Sequence, residues 1–348
     1  MLSTLLFMSS GLFLGWTLGA NDAANIFGTA VGTRMIKFKT SAVIITIFVI
    51  IGAVISGAGA SHTLGTLGKV NQLAGAFVVA LSAGLTVLWM TNLGLPVSTS
   101  QSIVGAIVGW NIFAGYSTDM RVLTKIIGTW ILCPVLSASF SILFFIIISK
   151  FLKKCKIHLL TIDRYTRLSL IIVGAFGAYS LGANNIANVM GVFTNTISIP
   201  PINIFGLFTL SGTQQLFFLG GLAISVGVYT YSKKVMLTVG KDIFKISPVA
   251  ALIVVLSHSI VLFLFASEGL KYWLISYGLP SLPLVPVSSS QAVVGAVIGI
   301  GLIKGAHNIN YRVLGSISIG WVVTPVTSAI ISYLTLFFMQ NVFMFSVY

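Results

Sequence analysis

Charge is scarce in this chain, and acid scarcer still. Only 7% of its 348 residues are charged, with five Asp and Glu against 19 Lys and Arg. A soluble domain carries roughly 25% charged residues, so a soluble fold is excluded. Polar stretches long enough to form a soluble domain are also missing. Catalytic signatures are absent: there is no G-x-S-x-G, H-E-x-x-H or G-x-x-x-x-G-K-[ST]. Aspartyl chemistry needs two neighbouring carboxylates, and only Asp22 is expected deep in a span. An enzyme is therefore not expected, nor an ATP motor within this chain. Two cysteines make no disulfide framework, and Cys133 in a span and Cys155 in a basic loop are not an expected pair.

What is present is apolar. Hydrophobic residues make up 57%, and the mean hydropathy is +1.05. Runs of about 20 such residues recur along the whole length, each able to cross a bilayer as a helix. The N-terminal run lacks a basic start and continues into the Asp22 segment, so it is expected to be the first span and not a cleaved signal. Gly is abundant at 35, and Gly11, Gly15 and Gly19, Gly105 and Gly109, and Gly295 and Gly299 fall four apart. That spacing reads as close helix packing.

The net charge of +14 suggests nucleic acid, but its placement does not. The basic residues gather in short loops: Arg34, Lys37 and Lys39; Lys150, Lys153, Lys154, Lys156, Arg164 and Arg167; Lys233, Lys234, Lys241 and Lys245; Lys304 and Arg312. This is the positive-inside pattern of a bilayer protein, with no nucleic-acid partner. Lys69, Arg121, Lys125 and Lys271 fall on the other side or near its boundary.

The chain also repeats itself. GANDAANIFG (19–28) is echoed by GANNIANVMG (182–191), PVSTSQSIVGAIVG (96–109) by PVSSSQAVVGAVIG (286–299), and WILCPVLSASFS (130–141) by WVVTPVTSAIIS (321–332). Three pairs in one order divide the chain into a first repeat, 1–149, a basic cytoplasmic linker, 150–166, and a second repeat, 167–348. Hydropathy places apolar segments near 4–33, 41–61, 73–92, 95–114 and 122–149, then 167–195, 204–230, 248–268, 284–303 and 313–340. Five segments per repeat is an odd number, so the second repeat is inverted relative to the first. The expected fold is an all-α polytopic membrane protein with broken or re-entrant helices at the midplane. With the N-terminus outside, the main basic clusters fall inside. Secondary transporters are commonly built this way, with a midplane site at interrupted segments in matching positions.

Two motif pairs supply such interruptions. Pro96 and Pro286 stop a helix before them, and the Ser and Thr that follow are good caps for a new one. A helix start offers N–H groups and a positive dipole end. Ser98, Thr99, Ser100 and Gln101, and Ser288, Ser289, Ser290 and Gln291, add side-chain donors. Together they suit a tetrahedral oxyanion; the plainer reading is that they only satisfy a proline-broken helix within the membrane. In GANDAAN, Asp22 is costly at membrane depth unless paired. With Asn21 and Asn25 it offers hard oxygens for Na⁺ or H⁺ on an unwound stretch; the alternative is a small-residue crossing point with a tolerated acid. Asn185 keeps the shape of the second copy and drops its charge. His258, in an apolar span, is either functional or a neutral histidine bonded between helices. Glu268 and Asp119 are expected to be solvated, and His62, His158 and His307 carry no assignment.

These residues resemble the paired signatures of the inorganic phosphate transporter (PiT) family over nearly the whole chain. The central hydrophilic loop of animal members is absent, as in compact prokaryotic members. The resemblance implies a cation-coupled phosphate symporter of the inner membrane, often a homodimer, with an elevator-like movement and no cofactor beyond a coupling ion, Na⁺ or H⁺. By motif, cation ligands come from Asn21, Asp22 (for Na⁺), Asn184 and Asn185. Phosphate contacts come from Asn25, Asn188, Thr99, Ser100, Gln101, Ser289, Ser290 and Gln291. The chain departs from the family at Asn185, where Asp is usual, and at Gln101 and Gln291, where many relatives have His. Apolar Val49, Ala80 and Val255 stand where relatives carry intramembrane Glu. These departures keep sulfate or another tetrahedral anion open as the substrate. A channel is a further class, which saturable, gradient-driven uptake would distinguish.

Overall fold

A computed structural model describes residues 2–68, 70–154, 158–204, 206, 208–238, 246–305 and 309–348. Lys69, Cys155, Lys156, Lys241, Lys245 and His307 lie outside the described residues. The fold is helical. The first segment is two helices, α1 (Leu2–Asn21) and α2 (Ala24–Gly32), jointed at Asp22 and Ala23. Next come α3 (Phe38–Ser56), α4 (Ala58–Leu67), α5 (Leu73–Asn92), α6 (Thr99–Ala114) and α7 (Met120–Lys154). Then follow α8 (Leu159–Met190), strands β1 (Ile202–Ile204) and β2 (Phe208–Leu210), α9 (Gly212–Tyr231) and α10 (Lys233–Leu237). The chain closes with α11 (Pro248–Leu264), α12 (Glu268–Ser276), α13 (Ser289–Ile303) and α14 (Tyr311–Asn341).

Among the described residues, α3, α5, α7, Leu159–Phe193 and α14 are long and apolar enough to cross a membrane, and α11 and α12, bent by 70° at a short break, pass that test only when taken together, as a broken span or a re-entrant loop. The segments expected at 95–114 and 284–303 are short helices preceded by irregular backbone at 95–98 and 279–288. This is the broken form their prolines predict. Ser98 accepts the Gln101 N–H and Ser288 the Gln291 N–H, each at 3.2 Å, which satisfies one orphan donor per helix start.

Elsewhere the boundaries move. The expected segment 204–230 begins as an antiparallel hairpin, with Ile202 opposite Leu210. Gly206, at φ +72°, donates its N–H to Asn203 Oδ1 at 3.0 Å to close the turn. The stretch 150–166 is helical at both ends, in α7 and α8. The segment expected at 41–61 divides at Gly57, and α4 continues it to Leu67.

Packing partners come in matched pairs. Helix α1 packs on α9 as α3 packs on α8, α6 on α14 as α13 on α7, and α1 on α5 as α8 on α11. The first two pairs each cross between the two stretches of sequence that repeat. Glycine permits the approach. A Cβ on Gly105 would lie 2.1 Å from the Pro325 carbonyl oxygen, and one on Gly295 lies 2.3 Å from that of Pro134. Gly19 meets the Ile224 carbonyl, and Gly182 that of Val49, in the same way. In lipid, where apolar burial does not favour helix association, such backbone contact supplies the van der Waals attraction that holds helices together.

Candidate functional site

The site is built from two helix starts and two asparagine-rich helices. Each proline removes one N–H and leaves the peptide groups beside it to be satisfied. Asn21 Oδ1 accepts the Val97 N–H at 3.0 Å, and its Nδ2 donates to the Leu95 carbonyl at 2.9 Å. Asn184 Oδ1 accepts from Val287 at 2.8 Å, and its Nδ2 donates to the Val285 carbonyl at 3.0 Å. Asn21 Nδ2 also reaches Thr91 Oγ1 at 2.9 Å. Both amides are therefore engaged at both ends with backbone. They fit the role of clamps on the helix starts better than that of free cation ligands, the role that motif matching gives them.

Asp22 lies at the joint between α1 and α2, 1% exposed. The N–H groups of Asp22 and Ala23 share the Leu18 carbonyl at 2.7 and 3.1 Å, so the helix widens locally into a π-type turn and is not fully opened. One carboxylate oxygen, Oδ2, accepts the Thr99 N–H at 3.2 Å, which places the charge at the positive end of α6. The Asp22 carbonyl accepts the Ser289 hydroxyl at 3.2 Å, and Asn25 Nδ2 donates to Ser289 Oγ at 3.4 Å. On the other side, Asn188 Nδ2 donates to Ser100 Oγ at 3.0 Å and to Asn185 Oδ1 at 2.9 Å. Ser100 donates to the Val287 carbonyl at 3.0 Å and to Asn185 Oδ1 at 3.3 Å. Each signature thus reaches the helix start of the opposite repeat. Ser290 pairs with Ser288, Oγ to Oγ, at 3.0 Å.

The second signature corrects one expectation. Asn184, Asn185 and Asn188 stand on α8, which stays helical to Met190; no unwound stretch occurs among them. The Asn185–Asn188 bond joins residues one turn apart and supports the helix. Asp22 instead commits its carboxylate and its carbonyl to other helices, and the joint forms there.

All twelve residues singled out from sequence are buried. Eight buried polar atoms of this network have no protein partner: Asp22 Oδ1, Asn25 Oδ1, Thr99 Oγ1, Gln101 Oε1, Asn185 Nδ2, Asn188 Oδ1, Gln291 Oε1 and His258 Nδ1. Each unsatisfied group costs about 1–3 kcal/mol, and a polar guest or ordered water between the helix starts would complete them. Five of the eight are carboxylate or amide oxygens, which suit a cation or an O–H donor. Among the described residues no group of three His, Cys, Asp or Glu gathers as for a metal.

One member of the network was visible in sequence but could not be placed there. His258, on α11, is fully buried, and its Nε2 lies 3.0 Å from Ser289 Oγ. Cys133, buried and free, directs its Sγ to the Ser288 carbonyl at 3.5 Å. Nothing in the local sequence of α7 or α11 signals either contact.

Broken helices around a buried polar network define a polytopic membrane transporter and not an enzyme. A family model described as the phosphate transporter family matches residues 18–332, and the chain belongs to that family. A Methanocaldococcus jannaschii protein provisionally named a phosphate permease is 28% identical over 92% of this chain and 93% of its own. The sulfate permease of Bacillus subtilis is 30% identical, over 93% of this chain and 84% of its own. A solved structure titled the sodium-dependent phosphate transporter shares the fold, with a TM-score of 0.77 and 23% identity over 98% of this chain and all of the other.

Proposed function

We propose that this chain is a secondary transporter that imports inorganic phosphate with Na⁺ across the inner membrane. The observation that carries this reading is the buried network between the two helix starts, rich in unpartnered oxygens, in a member of the phosphate transporter family. Asn25, Thr99, Ser100, Gln101, Asn188, Ser289, Ser290 and Gln291 hold the anion. Asp22 supplies the charge that holds the cation, with Asn185 as its neutral counterpart. Asn21 and Asn184 fix the helix starts. Hydrogen phosphate carries an O–H that these oxygens accept, and sulfate has none. The Na⁺ assignment draws support from the sodium-dependent phosphate transporter that shares the fold.

The two repeats are read as inverted copies, a reading supported by the matched packing pairs and the paired asparagine clamps. Alternating access between the two halves fits that reading, and the family resemblance adds an elevator-like movement of the site against a scaffold, in a homodimer. The N-terminus is read as outside. In support, Lys234 donates to the Asn92 carbonyl, so this basic residue adjoins the expected inner end of α5.

Radiolabelled phosphate uptake into proteoliposomes tests this, under an inward Na⁺ gradient, an inward H⁺ gradient, or neither. Na⁺-driven uptake that ignores excess sulfate is expected. H⁺-driven uptake overturns the ion assignment. The second reading is a cation-coupled sulfate permease, favoured by the Bacillus subtilis relative and by the charge missing at Asn185. Entry of labelled sulfate in place of phosphate would establish it.

A further inference from the structure

The Ser289 hydroxyl has one proton and three polar neighbours. Its oxygen lies 3.4 Å from Asn25 Nδ2, 3.2 Å from the Asp22 carbonyl oxygen and 3.0 Å from His258 Nε2. The Asn25 amide donates, so the Ser289 proton has two places to go. When it lies on the Asp22 carbonyl, His258 Nε2 must carry a proton of its own and donate to Ser289. When the imidazole is protonated at Nδ1 instead, Nε2 accepts from Ser289. The second arrangement frees the Asp22 carbonyl and turns a Ser289 lone pair toward it.

Asp22 and Asn25, which contact Ser289, each carry a further oxygen that already lacks a partner, Asp22 Oδ1 and Asn25 Oδ1. Carbonyl, hydroxyl, carboxylate and amide oxygens are the ligands a hard monovalent cation takes. The tautomer of a buried histidine is normally fixed by the bond on its other nitrogen. Here Nδ1 has no partner, and the ring is fully buried, so neither tautomer is held by a bond behind it.

We propose that His258 is a positioning residue for the coupling cation: by accepting the Ser289 proton it turns Ser289, read above as an anion contact, to the cation instead, and releases the Asp22 carbonyl and the Ser289 oxygen to coordinate Na⁺. This rests on the reading of the site as one of cation-coupled transport. The exchange is charge-neutral for the ring, which loses a proton at Nε2 and gains one at Nδ1 through water admitted when the site opens. Cation binding and helix start α13 are thereby linked, since Ser289 is its first residue. The cation then orders the surface that meets the anion.

The test uses the full chain, purified, with Na⁺ binding read as thermal stabilisation by NaCl over choline chloride in the absence of phosphate. Phosphate uptake into proteoliposomes is measured in parallel. His258→Leu, which cannot accept a proton, is expected to raise the half-saturating Na⁺ about tenfold, the scale of one lost hydrogen bond. Its KM for phosphate at saturating Na⁺ should stay within about twofold. His258→Gln offers Oε1 to the same proton and should restore Na⁺ binding to within about threefold of the parent. In a Ser289→Ala background, His258→Leu should add nothing, because the proton it would accept is gone. His258→Phe replaces the leucine variant if that one does not fold.

Equal Na⁺ binding by the parent and His258→Leu overturns the role of His258 and leaves the transport reading intact. So does a leucine effect that persists in full beside Ser289→Ala. Na⁺ stabilisation without phosphate uptake overturns the phosphate reading and leaves His258 in place. A parent protein that Na⁺ does not stabilise overturns the His258 proposal.

Discussion

Asn21 straddles Pro96, taking the Val97 N–H on one side and giving its own amide hydrogen to the Leu95 carbonyl on the other. Asn184 straddles Pro286 in the same way. Replacing either with Ala leaves two buried backbone groups unpaired, at about 1–3 kcal/mol each. Asn21→Ala and Asn184→Ala are expected to lower the thermal midpoint and the maximal uptake together. Asn184→Asp keeps the bond from Val287 and loses the one to Val285, so its midpoint should fall between those of the parent and the alanine variant.

The charge difference between the signatures gives a second prediction. A carboxylate about 4 Å from a cation contributes up to about 4 kcal/mol at an effective dielectric constant near 20. Asp22→Asn should therefore weaken Na⁺ by roughly 100-fold or more and abolish gradient-driven uptake. Asn185→Asp should tighten Na⁺ binding or add a second ion, seen as a steeper Na⁺ dependence. An unchanged affinity and slope in Asn185→Asp would place that residue outside the cation site.

Close helix approach can be probed with single methyl groups. Gly105→Ala and Gly295→Ala place a Cβ 2.1 and 2.3 Å from a backbone carbonyl oxygen, which cannot turn aside as a side chain can. Overpacking of this kind costs about 1–3 kcal/mol or more. Both variants should give little folded protein in a detergent size-exclusion profile. Gly128→Ala in α7, with nothing within 4 Å of the added methyl, should elute as the parent does.

The serine caps offer a milder perturbation. Ser98→Ala and Ser288→Ala each remove an acceptor for a helix-start N–H, worth about 1 kcal/mol. Ser98→Thr retains it. Thermal unfolding should separate alanine from threonine, with threonine near the parent.

What the sequence made legible was local or repeated. Pro96 and Pro286 act on their immediate neighbours, and Ser98 and Ser288 cap helices three residues on, so both helix starts could be read directly. The duplicated signatures identified the site residues because each motif appears twice. The hairpin at 202–210 was hidden inside an apolar run, where strand and helix share a composition. The unbroken course of α8 past Asn185 depends on what a side chain elsewhere accepts, and periodicity does not carry that information. The seat of His258 against Ser289, and the grip of Asn21 on Val97, are contacts between distant parts of the chain. They arise only when the helices have packed.

The crossed packing of the helices imposes an order of events on synthesis. Gly19 in α1 rests against a carbonyl of Ile224, and Gly227 in α9 against that of Trp16. Helix α1 thus waits for some 200 further residues of synthesis before α9 exists. Until α9 arrives, the small-residue face of α1 borders lipid or the insertion machinery. An interrupted chain is then recognisable to quality control by that bare glycine face, before any cargo has been bound.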